Sequence, residues 1–141
     1  MTLAKNTDPS TGSSEHPGGS VHVVRRFLVA LEARDLPTAS TLLAAGAEMT
    51  FPGGACFHRL HDLITWAAPR YRRVAKSFDG FDLVPGAGEE VVYSRGTLSG
   101  AWPDGTPFDG IRFIDRFVVR DGQIHRQDVW NDLAEVKHAR D

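Results

Sequence analysis

The sequence predicts a single α+β domain in which helices from the first half cover one face of a curved, mainly antiparallel sheet from the second. Three observations lead there. Apolar residues recur at helical spacing as far as about residue 76, they alternate with period two beyond it, and the alternating runs are joined by short turn-forming segments. A chain of 141 residues is long enough to bury a real core as one domain.

Residues 1–20 (MTLAKNTDPSTGSSEHPGGS) are rich in Ser, Thr, Gly and Pro and have no apolar stretch. They read as a disordered arm, not a secretory signal, which points to the cytoplasm. The domain proper is expected over residues 21–137, with 138–141 as a tail. A net charge of -2 argues against a nucleic-acid partner, and no apolar run reaches membrane-spanning length. The lone cysteine, Cys56, excludes an intramolecular disulfide framework and a cysteine-rich zinc site. No sequence neighbour supplies it with a base, so it is not read as a nucleophile.

Val24, Phe27, Leu28 and Leu31 place a first amphipathic helix over residues 21–33. Asp35 is the expected N-cap of a second helix, with Pro37 in its first turn, Ala39, Leu42 and Leu43 on its apolar side and Gly46 as its stop. A short strand at 47–51 ends at Pro52-Gly53-Gly54. A third helix is expected over 60–76, kinked at Pro69, with Arg70, Arg72, Arg73 and Lys76 as its solvated face. Strands follow at 78–84, 91–101, 108–120 and 123–130, linked by Pro85-Gly86-Ala87-Gly88, Pro103-Asp104-Gly105 and Asp121-Gly122.

The residue that stands out is Asp115. One face of its strand reads Ile111, Phe113, Asp115, Phe117, Val119, so a carboxylate occupies a position that calls for a hydrophobe. Such a group is paired, hydrogen-bonded or protonated, because an isolated buried charge is too costly. A bulged Asp121-Gly122 loop would set it opposite Gln127, with Phe117 opposite His125 and Phe113 opposite Val129. Asp115 is therefore the candidate acid, and His125 a second polar group on the same face. Phe27, Phe51, Trp66, Tyr93, Phe113, Phe117, Gln127 and Val129 are the candidate ligand-binding residues. Core packing is the alternative for each aromatic, and a structural carboxyl the alternative for Asp115. His58 and His61 have a metal-like spacing, but no evident third ligand, since Asp62 points elsewhere; no metal and no cofactor are expected.

Two stretches, VVRRFLVALEARDLPTASTLLAAGAEMTFPGG and GIRFIDRFVVRDGQIHRQDVWNDL, resemble the SnoaL-like and ketosteroid-isomerase-like branch of the nuclear transport factor 2-like superfamily. The resemblance implies a cone-shaped barrel: three N-terminal helices packed on a strongly curved sheet, a pocket in the open end, and a homodimer. It also implies departures. The tyrosine and general base of ketosteroid isomerases fall at Phe27 and Phe51, and only their oxyanion-hole acid has a match, at Asp115. The acid/base aspartate of SnoaL-type cyclases falls at Val129. The Arg–carboxylate set of limonene-epoxide-hydrolase-like members is not supplied near Gly96, Leu98 and Val129, where Arg95 is one residue out of register. The function expected is binding of a small apolar carbonyl, polyketide- or steroid-like molecule, with isomerase- or cyclase-type acid–base chemistry. The alternative is a noncatalytic dimeric binding or scaffold module with a side-chain-filled cone.

Overall fold

Val21, Val24, Phe27 and Leu28 are buried along one side of helix α1 (Ser20–Glu32), the stripe their spacing predicts. The computed structural model describes residues 19–140, so the expected arm lies outside the described residues except for its last two positions. Helix α2 (Leu36–Thr41) is short; the Asp35 carboxylate accepts the Thr38 N–H at 3.2 Å, and Pro37 sits in its first turn. Its expected continuation to Gly46 is not found. Strand β1 (Leu43–Phe51) already begins at Leu43, and Gly46, at φ +77, falls where the pairing of β1 with the last strand shifts register. Gly46 serves a bulge, not a helix end.

Gly53 and Gly54, both with positive φ, turn the chain back into a strand the sequence reading missed, β2 (Ala55–Phe57). Helix α3 (Leu60–Ala67) stops well short of residue 76. Pro69 has no N–H to donate to the previous turn, so the chain leaves the helix there rather than kinking. Beyond it, strand β3 (Arg73–Val84) pairs with β4 (Glu90–Ala101), and the basic run lies on a turn and a strand instead of a helix face.

Strands β5 (Pro107–Arg120) and β6 (Gln123–Asn131) complete a six-stranded sheet of order β2-β1-β6-β5-β4-β3, curved and unclosed, in which only β1 and β6 run parallel. A final helix, α4 (Leu133–Arg140), continues through the positions expected to be a tail. This is the α+β cone. Helix α1 lies on the concave face, where its apolar stripe joins Met49, Val92, Phe117, Val119 and Ile124 in one core cluster. A second cluster at the other end holds Leu98, Trp102, Phe108, Ile111 and Phe113.

The last hairpin departs from the expected register. Asp121 and Gly122 both have positive φ, as a two-residue type I′ turn requires, so Arg120 pairs with Gln123. The bulge sits further on, at His125, and sets Phe117 opposite Gln127, Asp115 opposite Val129 and Phe113 opposite Asn131. Asp115 and Gln127 are consequently diagonal neighbours, not a direct pair.

Curvature depends on close strand contact. A Cβ on Gly96 would run into the Ser77 carbonyl beside the β3 bulge at Asp79. Gly96→Ala is expected to lower stability by about 1–3 kcal/mol, seen as a fall in the urea midpoint at constant m. An unchanged midpoint would show that the bend tolerates a side chain.

Candidate functional site

Period-two geometry brings Val74, Lys76 and Phe78 onto the concave face of β3, and the same alternation brings Phe113, Asp115 and Phe117 there from β5. Lys76 Nζ lies 3.5 Å from Asp115 Oδ2. The lysine is 23% exposed and the aspartate not at all. The ammonium also sits 4.9 Å from the centre of the Phe113 ring, a cation–π contact that helps offset its partial desolvation. Ser94, fully buried, is directly opposite Asp115 on β4, and Gln127, also buried, approaches from β6. Four strands thus converge on one polar cluster, placed at the seam between the two apolar clusters.

The cluster is under-satisfied. Ser94 Oγ, both Asp115 oxygens and Gln127 Oε1 are buried without a well-formed hydrogen bond from any described protein group. Unmade bonds of this kind are rare in folded proteins. Burial pushes the Asp115 carboxyl above the usual value of 3.8, and the Lys76 charge, followed by the proximity of Lys76 and Gln127 as donors, pulls it only part of the way back. At 3.5 Å, Lys76 is a charge nearby rather than a full hydrogen-bond donor, so the desolvation effect prevails.

Two small cavities open beside the cluster. One, of about 60 Å³, is bounded by Leu28, Phe51, Leu63, Tyr71, Lys76 and Gln127, with Glu32 at its rim. The other, of about 50 Å³, is bounded by Phe51, Trp66, Tyr71, Lys76 and Val129. An exterior groove of about 450 Å³ between Trp102 and α4 is larger, but none of the buried polar groups faces it. It shares Arg70, Tyr71 and Leu133 with the second cavity as lining residues.

Of the residues predicted from sequence, Phe51, Trp66, Gln127 and Val129 line these cavities. Phe51 and Trp66 meet edge to face at 5.8 Å. Phe27 and Phe117 do not: they pack against each other at 6.2 Å inside the core. Phe113 supports Lys76 from below. Tyr93 is a correction, because it lies between buried Val92 and Ser94 and so faces the opposite, outer side of the sheet. His125 occupies the bulge and borders neither cavity. Asp115 itself borders neither, being sealed behind Lys76 and Gln127. His61, on α3, does not join His58, which instead lies 3.5 Å from Glu48.

Lys76, Ser94 and Tyr71 were missed. For Lys76 the signal was present: a charged residue between Val74 and Phe78 is the same anomaly as Asp115 between Phe113 and Phe117. The false helix hid it.

The SnoaL-like domain pattern matches residues 24–127, most of the chain. The chain belongs to the SnoaL-like family. Solved structures agree on the fold of this SnoaL-like domain. An NTF2-like protein of unknown function from Burkholderia pseudomallei is 20% identical with a TM-score of 0.67, over 84% of this chain and 94% of its own. A SnoaL-like polyketide cyclase, so described for a Jannaschia species, is 20% identical with a TM-score of 0.64, over 84% and 89%. A protein described as a ketosteroid isomerase from Shewanella frigidimarina is 14% identical with a TM-score of 0.64, over 77% and 92%. At these identities the likeness is one of fold alone. Comparison with curated proteins gave no match.

Because the folded state holds the Asp115 proton more tightly than the unfolded chain, this group's contribution to stability is full below pH 3.8 and is lost as pH rises through the raised folded value. Asp115→Asn is therefore expected to be as stable as the parent in acid and more stable at neutral pH, with the gap opening upward from about pH 4 in thermal unfolding. A mutant destabilised more at pH 7 than at pH 4 would show that the Lys76–Asp115 ion pair prevails instead.

Proposed function

We propose that the cone binds a small, mainly apolar molecule through a carbonyl or related oxygen, and promotes isomerase- or cyclase-type proton transfer at that group. The single observation behind this is a lysine ammonium, a carboxyl with a raised pKa and a glutamine carboxamide gathered at the end of an apolar cavity. Because burial raises the Asp115 pKa, its carboxyl offsets the Lys76 charge less completely than an exposed carboxylate would, and Lys76 lines the cavity. An oxyanion developing on a carbonyl would meet the Lys76 ammonium and the Gln127 amide, both arranged before the reaction begins. Asp115 touches neither cavity, so its part is to set the position and charge balance of Lys76 and to return a proton through it. Phe51 and Val129 supply no base where relatives of the fold carry one, while Glu32, at the cavity rim, is the carboxylate within reach; its Oε1 accepts the Lys76 backbone N–H at 2.9 Å.

A second reading has its own support. Each cavity holds about two waters' volume, far below the roughly 300–1,000 Å³ of ordinary ligand pockets. A cone filled by its own side chains would serve as a noncatalytic binding or scaffold module. Tyr71 lines the groove and both cavities, so removing its ring would enlarge the space at their common wall.

Native mass spectrometry on protein purified from its own source tests this directly. One apolar carbonyl compound per chain is expected, and Lys76→Met should weaken its binding at least tenfold, the loss of a charged hydrogen bond of about 1.5–3 kcal/mol. Asp115→Asn should slow its conversion while leaving binding within a few-fold. Retention of ligand by Lys76→Met sinks the assignment. No ligand, together with no uptake of an apolar probe by Tyr71→Ala, favours the filled cone.

The chain is further proposed to pair with a second copy. Ile114 and Trp130 are cross-strand partners, both exposed, on the outer sheet face. Light scattering should report a dimer, and Trp130→Glu a monomer; a parent chain monomeric at high concentration refutes the pairing.

A further inference from the structure

Strand β2 leads into the run Cys56-Phe57-His58, and its antiparallel register with β1 sets Thr50 opposite Cys56 and Met49 opposite Phe57. Cys56 and His58 are two residues apart and leave the same face, the one that Glu48 and Thr50 occupy on β1. That is the outer face, because Met49 between them is fully buried. One donor atom from each of Glu48, Cys56 and His58 lies within 4.8 Å of the other two. Glu48 Oε2 and His58 Nε2 are 3.5 Å apart. A tetrahedral ion with nitrogen and oxygen ligands at about 2.0–2.1 Å has a ligand–ligand edge of about 3.4 Å, so this edge is already set. The thiol closes the set with a shift on the order of 1 Å, which an exposed side chain makes by changing rotamer.

We propose that Glu48, Cys56 and His58 bind a zinc ion, with water at the fourth position. The surroundings fit that ion. Arg126 donates to Glu48 Oε1 at 2.9 Å and so holds the carboxylate with Oε2 toward His58, the outer-shell orientation that metal ligands require. A guanidinium beside a cation site is unfavourable by itself, but Arg126 is engaged by Asp128 in a two-point contact at 2.9 and 3.1 Å. Thiolate and carboxylate together match the two positive charges of the ion. A sulfur–nitrogen–oxygen set selects a borderline ion over Ca²⁺ or Mg²⁺, which take oxygen ligands. On binding, Cys56 gives up its S–H proton to solvent and the Cys56 sulfur–zinc bond forms, so affinity rises with pH. The site lies across the sheet from the cavities, since Gln127 faces inward and its neighbours Arg126 and Asp128 face outward.

The test is Co²⁺ titration of the untagged, metal-stripped full chain, followed by displacement with Zn²⁺. One Co²⁺ per chain is expected, with a thiolate-to-cobalt charge-transfer band and the visible absorption of a tetrahedral ion, both abolished by Zn²⁺. Cys56→Ser should remove the band without moving the thermal midpoint, as an exposed residue allows. His58→Ala and Glu48→Gln should each weaken binding at least tenfold, and His61→Ala should leave it unchanged. Absence of the band, its survival with unchanged affinity in His58→Ala and Glu48→Gln, or one ion per two chains would each overturn the proposal.

Discussion

A carboxyl group that water does not reach organises the concave face of this protein. Asp115 lies between Phe113 and Phe117, and the two core clusters meet at its position. Burial raises the pKa of an aspartate there, and Lys76, 3.5 Å away, offsets part of the cost of its charged form. The neighbourhood follows from that requirement. Lys76 must come from the adjoining edge of the sheet, its stem must cross an aromatic ring, and β4 must remain thin enough at Gly96 for β3 to fold over it. The charge that reaches the cavity is the lysine's, while the acid that the strand alternation advertises stays behind it.

Phe27 packs in the core and Phe51 lines both cavities. The polar residues lining the first cavity include Lys76 on β3, Gln127 on β6, and Glu32 at the end of α1. The same sheet presents a different chemistry on its other face. There Arg126, Asp128 and Glu48 form a continuous charged row that holds Cys56 and His58 beside it.

Element types were well legible where a segment's local signals agreed. The α1 stripe, the Asp35 cap and the four long strands show in the spacing of apolar residues, because burial on one face of a helix or strand leaves a period in the sequence. Legibility failed where a local signal had two meanings. Gly46 stops a helix or seats a bulge, and Pro69 kinks a helix or ends it; which holds depends on β6 and β4, far away in sequence. The site was half legible for the same reason. Asp115 betrayed itself by breaking an alternation, and Lys76 broke one equally, but only a reader who already knew that residues 73–84 form a strand would see it.

By itself, the sequence determined the fold class, the order of most elements and the anomalous acid. These are properties of single segments, written in periodicity and residue type. The register was decided only in three dimensions. A type I′ turn at Asp121-Gly122 with a bulge at His125 moved Asp115 from Gln127 to Val129, a slip of two positions that keeps the face but changes every neighbour. Convergence of Lys76, Ser94, Asp115 and Gln127 from four strands depends on all four registers at once. No local pattern encodes that, because each strand's choice is settled by packing against the others.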